Sequence, residues 1–337
     1  MALPLALTMG EPAGIGGEIA LKAWLSRADR VPPFYVRDDP GRLTELAAQF
    51  GWPVPVRAIQ MPGDAIEVFA AALPVIPIAV RPRGRPGEPD PADAPAIIGS
   101  IKAAVDDVCH GSAAALVTNP IHKDSLYRAG FRHPGHTEYL AELAGNGFNP
   151  VMMLVCPQLR VVPVTIHLAL RRAVDALTSE GIVATGRITA AALRADFGIE
   201  KPVLAIAGLN PHAGEAGGLG REEIEIIEPA IAALRGEGVD ARGPLAADTM
   251  FHAEARQSYD AALCMYHDQA LIPIKTIEFD SGVNVTLGLP FVRTSPDHGT
   301  AFGIAGKGIA RPRSLIAALR LAAEMAAIRR ARDEARG

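Results

Sequence analysis

The chain has 337 residues, 49% of them apolar and only 5% aromatic, with a formal net charge of −4. That length suits two domains, or one large α/β domain with a lobe, packed through small aliphatic side chains rather than rings. Charges of both signs are interspersed, which excludes a broad surface for nucleic acid or an anionic membrane and leaves a small anionic substrate held by a few local cations.

In chain order, the first short, non-alternating apolar run is Leu3–Thr8, which predicts a strand covered on both faces. The opening MALPLALTMGEPAGIG lacks a basic stretch and reaches Gly and Pro too early for a secretory leader, which predicts a cytoplasmic protein. Residues 81–95, RPRGRPGEPDPADAP, are too rich in proline to be regular and predict an exposed loop whose three arginines have no assigned role. Ile97, Ile101, Val105 and Val108 recur at helical spacing. Ala113–Thr118, Val151–Val155 and Val161–Ile166 continue the strands. Ser179–Phe197 predicts a helix with Thr178 as its N-cap and Gly198 as its stop. Val203–Ala207 is another strand. Ile224, Ile227, Ile231 and Leu234 then mark a helix with Glu222, Glu223 and Glu225 in its first turn, where acids suit the helix dipole. Ala261–Met265 is the last strand read here, and an Ala-rich helix comes after Pro312 and Ser314. No apolar stretch is long enough to span a bilayer. Strands alternating with helices predict an α/β fold with a largely parallel sheet. Cys109, Cys156 and Cys264 form no C-x-x-C and read as buried, reduced thiols.

The polar residues just past the strands carry the functional signal. Val161–Ile166 ends at His167, Val203–Ala207 runs on to Asn210 and His212, Ala261–Met265 ends at Tyr266, His267 and Asp268, and Ala113–Thr118 ends at Asn119 with Lys123 soon after. Ligands of open parallel sheets bind at the carboxyl ends of the strands, so three histidines at equivalent ends read as ligands of one metal ion with open positions for substrate or water, the alternative being three separate hydrogen-bonded residues lining loops. His110, His122, His133 and His252 lie in polar contexts and are expected on the surface. In GFRHPGHTEYL, His136 and Thr137 precede the helical-looking Glu138–Leu143. This is either an anion seat at a helix start or an ordinary N-cap by Thr137. Lys275, Asn284 and Arg293 sit amid Gly, Val, Leu and Pro, where an unused charge is costly. The Gly-rich stretch from Ser295 to Pro312 holds His298, Gly299, Thr300, Ala301 and Gly306. It is neither a Walker loop nor a Rossmann fingerprint, yet its glycines permit close backbone approach to a ligand.

On the stretches TMGEPAGIGGE, VTNPIHK, GHTEYLA, GLNPHAGEAGGLGREE, MYHDQALIPIK and GVNVTLGLPFVRTSPDHGTAFGIAGKG, the chain resembles the 4-hydroxythreonine-4-phosphate dehydrogenase (PdxA) family over essentially its whole length. The resemblance implies an isocitrate/isopropylmalate dehydrogenase-like fold of two α/β/α domains with a cleft between them. One domain would comprise residues 1–130 plus 285–337 and carry the cofactor loop; the other, 131–284, would carry the metal ligands and dimer interface. The family relationship further implies a divalent ion (Zn²⁺, Co²⁺ or Mg²⁺) on His167, His212 and His267, with the third ligand supplied across a homodimer. Substrate contacts are implied from His136, Thr137, Lys275, Asn284 and Arg293, and acidic residues near the substrate at Asp248 and Asp268, with Lys275, Asp248 and Asp268 as catalytic candidates. HGTAFGIAGKG is similar to the loop that wraps the adenosine of NAD in isopropylmalate dehydrogenases, which implies NAD, or NADP, at His298, Gly299, Thr300, Ala301 and Gly306. The implied reaction oxidises 4-phosphohydroxy-L-threonine to 2-amino-3-oxo-4-phosphooxybutanoate, which decarboxylates to 3-amino-2-oxopropyl phosphate. A paralogous group acting on threonate or erythronate 4-phosphates shares these residues. A metal-dependent lyase or hydrolase, or a phosphotransacetylase-like acyltransferase, is the alternative from a different class.

Overall fold

The computed structural model describes residues 3–133, 135–145 and 147–335. Its strands, in chain order, are β1 (Leu5–Thr8), β2 (Phe34–Asp38), β3 (Val56–Ala58), β4 (Leu73–Pro77), β5 (Leu116–Val117), β6 (Val151–Cys156), β7 (Leu159–Thr165), β8 (Val203–Ala207), β9 (Asp240–Leu245), β10 (Ala261–Tyr266), β11 (Val283–Leu287) and β12 (Arg293–Pro296). The chain divides into two compact units. The first is Met1–Pro150 with Leu289–Ala327, and the second is Val151–Gly288 with Ile328–Gly337.

In the first unit the strand order is β3-β4-β2-β1-β5-β12, parallel throughout. All four residues of β1 are buried, as both faces of a parallel sheet must be when crossover helices cover them. The crossovers start where the local chemistry allows. Asp39 accepts from Arg42 N at 2.6 Å and Pro40 comes next, so Pro40–Gln49 has both a side-chain cap and a preset first φ. Of the predicted Ala113–Thr118 only Leu116–Val117 is strand, because residues 111–114 bend after the left-handed Gly111 (φ +70°). Within residues 81–95, Asp93 is buried and accepts from Arg83 N and Gly84 N at 2.7 Å each, so the proline-rich stretch is an ordered turn as well as an exposed one.

In the second unit the order is β11-β6-β7-β10-β8-β9. β7, β10, β8 and β9 are parallel, but β6 runs antiparallel to both β7 and β11, which corrects the expectation for Val151–Val155. Cys156 ends β6 and Leu159 opens β7, leaving only Pro157 and Gln158 between them. A two-residue link can join only antiparallel neighbours. Ser179–Asp196 packs on this sheet, with Thr178 Oγ1 accepting from Gly181 N at 3.1 Å and Gly198 (φ +69°) just past its end. Cys156 and Cys264 are buried, but Cys109, at the last turn of Ala94–Cys109, is exposed, contrary to expectation. No helix among the described residues is long and apolar enough to cross a membrane.

Candidate active site

In the first unit, β5 leads through Thr118 and Asn119 to Lys123, and β12 opens with Arg293. Arg293 is 4% exposed and donates from Nε (3.2 Å) and Nη2 (2.6 Å) to Thr118 Oγ1. Burial pushes its pKa down to about 10. The helix His136–Ala144 starts close by. Its N-cap is Gly135, with no side-chain cap, so Thr137 lies in the first turn and is not the cap. The first-turn N–H groups of a helix have no partners within it, which suits an anion. Gly135 lies against Lys123, and a β-carbon there would stand 3.2 Å from Lys123 Nζ. Burial first, then Arg293 and Lys123, hold His136 well below its ordinary pKa, so its imidazole is neutral at neutral pH, and its buried Nε2 has no partner among the described residues. A neutral imidazole, a buried guanidinium and an ammonium at one helix start can accept an anion such as a phosphate ester. Lys123 was not among the expected substrate residues, although its place shortly after a strand end was visible.

In the second unit, the neighbouring parallel strands β7, β10 and β8 end just before His167, His267 and the Asn210–His212 turn. The rings of His167 and His267 lie 6.1 Å apart, centroid to centroid, beside a pocket of about 230 Å³ lined also by Thr165, Leu168, Tyr266 and Asp268. Two imidazoles on one ion, each at about 2.1 Å, have centroids roughly 5–6 Å apart, so this pair stands at the wide edge of what one ion can bridge. His267 Nδ1 lies 2.6 Å from Asp268 Oδ1. A carboxylate can only accept, so Nδ1 carries the proton and Nε2 keeps its lone pair for a metal. His167 has φ +53° and is exposed, as is His212. Among the described residues no group of three potential ligands forms within one chain, so His212 is not brought onto the pair.

The Gly-rich stretch lies between β12 and the helix Arg313–Glu334. Glu18, buried in the helix Gly16–Leu25, accepts from Gly306 N (2.6 Å) and Gly308 N (3.1 Å), and Lys22 Nζ donates to Gly308 O (2.6 Å) and Ala310 O (2.7 Å). Thr300 O accepts from Ile15 N at 3.1 Å, and Ala301 is left-handed (φ +49°). A β-carbon on Gly306 (φ +75°) would lie 2.6 Å from Pro86 Cβ, so the 81–95 turn packs directly on the loop. His298 Nδ1 faces Gly299 O at 3.0 Å, while Nε2 is buried without a partner among the described residues. Neither Glu18 nor Lys22 was expected to act on this loop.

A family described as "Pyridoxal phosphate biosynthetic protein PdxA" matches residues 30–322. The chain is 60% identical over 330 residues to a protein of Methylorubrum populi named 4-hydroxythreonine-4-phosphate dehydrogenase, covering 96% of this chain and 94% of that one. The chain belongs to the PdxA family. A Bradyrhizobium diazoefficiens protein of the same name is 57% identical over 97% of this chain and 98% of its own. A crystal structure of 4-hydroxythreonine-4-phosphate dehydrogenase from Klebsiella pneumoniae superposes with a TM-score of 0.87 at 38% identity, covering 96% of this chain and all of the other.

The other residues expected at the site lie on separate elements. Lys275 is on the helix His267–Ile277, with Nζ 5.6 Å from the centre of the Phe279 ring. Asn284 is half-buried on β11, and Asp248 is exposed on the turn after β9. Of the four histidines expected on the surface, His110 and His252 are exposed. His122 is half-buried, with Nδ1 2.7 Å from Ser125 Oγ and its ring edge-on to Phe302, and His133 is half-buried between Phe131 and Tyr139.

Proposed function

We propose that the chain oxidises the C3 hydroxyl of 4-phosphohydroxy-L-threonine with NAD as the oxidant, using one divalent ion. The product, 2-amino-3-oxo-4-phosphooxybutanoate, is a β-keto acid that loses carbon dioxide to give 3-amino-2-oxopropyl phosphate. The observation that carries this reading is the His167–His267 pair, with Nδ1 of His267 tied to Asp268, in a chain with 60% identity to a named relative.

His167 and His267 would hold the ion, which when bound polarises the substrate hydroxyl and the ketone derived from it. Two imidazoles suit zinc or cobalt better than magnesium. His212, exposed on its turn, would complete the set from a second copy of the chain, which fits its separation from the pair within one copy. Arg293, Lys123, neutral His136 and the first-turn N–H groups, including that of Thr137, would bind the phosphate. Asn284 would orient the substrate, and Lys275 or Asp248 would take the hydroxyl proton. Asp268 acts through His267 as a positioning residue. The loop from His298 to Gly306, through Gly299, Thr300 and Ala301, would take the adenosine side of NAD.

The test is NADH formation at 340 nm with 4-phosphohydroxy-L-threonine, D-threonate 4-phosphate and D-erythronate 4-phosphate, each with NAD or NADP and with Zn²⁺, Co²⁺ or Mg²⁺. Turnover of the first substrate is expected to exceed the others. Turnover only of a threonate or erythronate ester moves the chain to that specificity, and no reduced cofactor from any of them overturns the reading.

A further inference from the structure

The turn that carries His212 has a backbone that its sequence alone does not favour. His212, Ala213, Gly214, Glu215 and Ala216 all have φ between +45° and +78°, a left-handed run in which only one residue is glycine. L-residues enter this region singly, not in succession, because Cβ crowds the next carbonyl. Such a run persists only where its surroundings over-determine it, and strained backbone of this kind clusters at functional sites.

The surroundings converge on Glu223. Its side chain is 2% exposed. Oε1 accepts from Leu209 N (2.8 Å) and Asn210 N (2.7 Å), and Oε2 accepts from Asn210 Nδ2 (2.9 Å), which also donates to Glu222 Oε2 at 2.7 Å. Asn210 is the residue from which the left-handed run departs, and its carbonyl accepts from Ala213 N at 3.1 Å. Three glycines leave room for this arrangement. A β-carbon on Gly208 would meet Ala213 Cα at 2.9 Å, one on Gly214 would meet Glu223 Oε2 at 2.5 Å, and one on Gly220 would fall on Asn210 Nδ2. Glu223 itself opens a π-helical turn, Glu223–Ile227, a rare form frequent at functional sites. A buried carboxylate, given room by three glycines, thus holds Leu209 and Asn210, three and two residues before an exposed histidine.

We propose that Glu223 is a positioning residue for the metal, fixing the left-handed turn so that His212 is presented in its ligating pose. This rests on the reading of His212 as a ligand. The test is Co²⁺ titration of the full-length protein, monitored by visible absorption, for wild type, Glu223→Gln, Asn210→Ala and His212→Ala. Glu223→Gln keeps the acceptor for the two backbone N–H groups but sets an amide against Asn210 Nδ2. It is expected to weaken Co²⁺ by about 10- to 100-fold, as loss of outer-sphere partners does, and to shift the absorption toward that of His212→Ala. Inorganic phosphate binding at Arg293 and the melting of the metal-free protein are expected to change little. Wild-type Co²⁺ affinity in Glu223→Gln, with His212→Ala weakened, overturns the role of Glu223 alone. Wild-type affinity in His212→Ala overturns the ligand reading and this inference with it. If Glu223→Gln does not fold, Asn210→Ala removes the same link to Oε2 and carries the test, and wild-type affinity there overturns the proposal.

Discussion

His267 donates from Nδ1 to Asp268 Oδ1 across 2.6 Å, a bond between consecutive residues at the point where β10 turns into a helix. It fixes which ring nitrogen is free. Replacing Asp268 with Ala is therefore expected to weaken divalent-ion binding by about 10- to 100-fold while leaving phosphate binding intact. Chelator competition with Zn²⁺ measures the first and thermal shift with inorganic phosphate the second. Unchanged ion affinity would remove Asp268 from its orienting role.

Arg293 supplies a fork of donors in a buried setting. Arg293→Lys keeps the charge but loses the planar fork and its hold on Thr118 Oγ1, so the KM for the phosphorylated substrate is expected to rise by about 10- to 100-fold, with a smaller effect on kcat. Steady-state kinetics across substrate concentration checks this. A fall in kcat at constant KM would place Arg293 away from ground-state anion binding.

Gly306 has φ +75° and no space for a β-carbon beside Pro86. Gly306→Ala is expected to displace the loop, raising the KM for NAD at least severalfold without altering Co²⁺ affinity in the second unit. Cofactor titration by quenching of protein fluorescence gives an independent reading. An unchanged cofactor affinity would take the loop out of the cofactor site.

Glu11 is 1% exposed, and burial raises its pKa from 4.5 to about 7, against the lowering effect of the Ala13 N–H. Between those values the native chain keeps a proton that the unfolded chain has released. The contribution of this residue to stability is therefore full below pH 4.5 and is lost as pH rises through about 7. Glu11→Gln cannot ionise and is expected to be more stable than wild type at pH 8, by up to about 3 kcal/mol, and alike at about pH 4. Denaturant unfolding at the two pH values tests it, and an equal difference at both would refute the assignment.

Asp196, 3% exposed, is held by Arg329 through two bonds of 2.7 and 3.0 Å. Arg329→Ala strands a buried carboxylate and is expected to cost about 2 kcal/mol, discounted because the guanidinium is partly solvated. Arg329→Ala with Asp196→Asn together should recover part of that loss in equilibrium unfolding.

The strand-end histidines were legible because each comes after a short continuous apolar run that marks the end of its strand to within about a residue. Thr178 and Gly198 were legible because a cap and a left-handed stop are local events. What escaped was non-local or against type. β2 reads FYVRD, and its charges look like a loop until Arg37 meets Asp107 and Asp38 meets Arg42. The antiparallel run of β6 lay in the two residues Pro157 and Gln158, but a buried apolar strand looks alike in either direction. Glu223 looked like an ordinary first-turn acid suited to a helix dipole, and nothing in the sequence singled out Glu18. Their partners, Gly306, Gly308, Leu209 and Asn210, are revealed only by folding. Nor does any residue type announce that four non-glycine residues will share a left-handed turn.

The clamp between Glu18 and the Gly-rich loop has a bearing on how a nucleotide could be read. A phosphate-binding nest works by aiming free amide hydrogens at an anion. Here the amides of Gly306 and Gly308 are already consumed by a carboxylate from within the protein, so these two cannot serve a pyrophosphate. What the loop offers at these positions is contour, a mould suited to a neutral nucleoside face, because the carbonyl oxygens of Gly308 and Gly306 already accept from Lys22 Nζ and Gln49 Nε2. On the proposed reading of this loop as the adenosine site, preference between the two nicotinamide dinucleotides, which differ by one phosphate on that nucleoside, would then be written in the side chains bordering the mould.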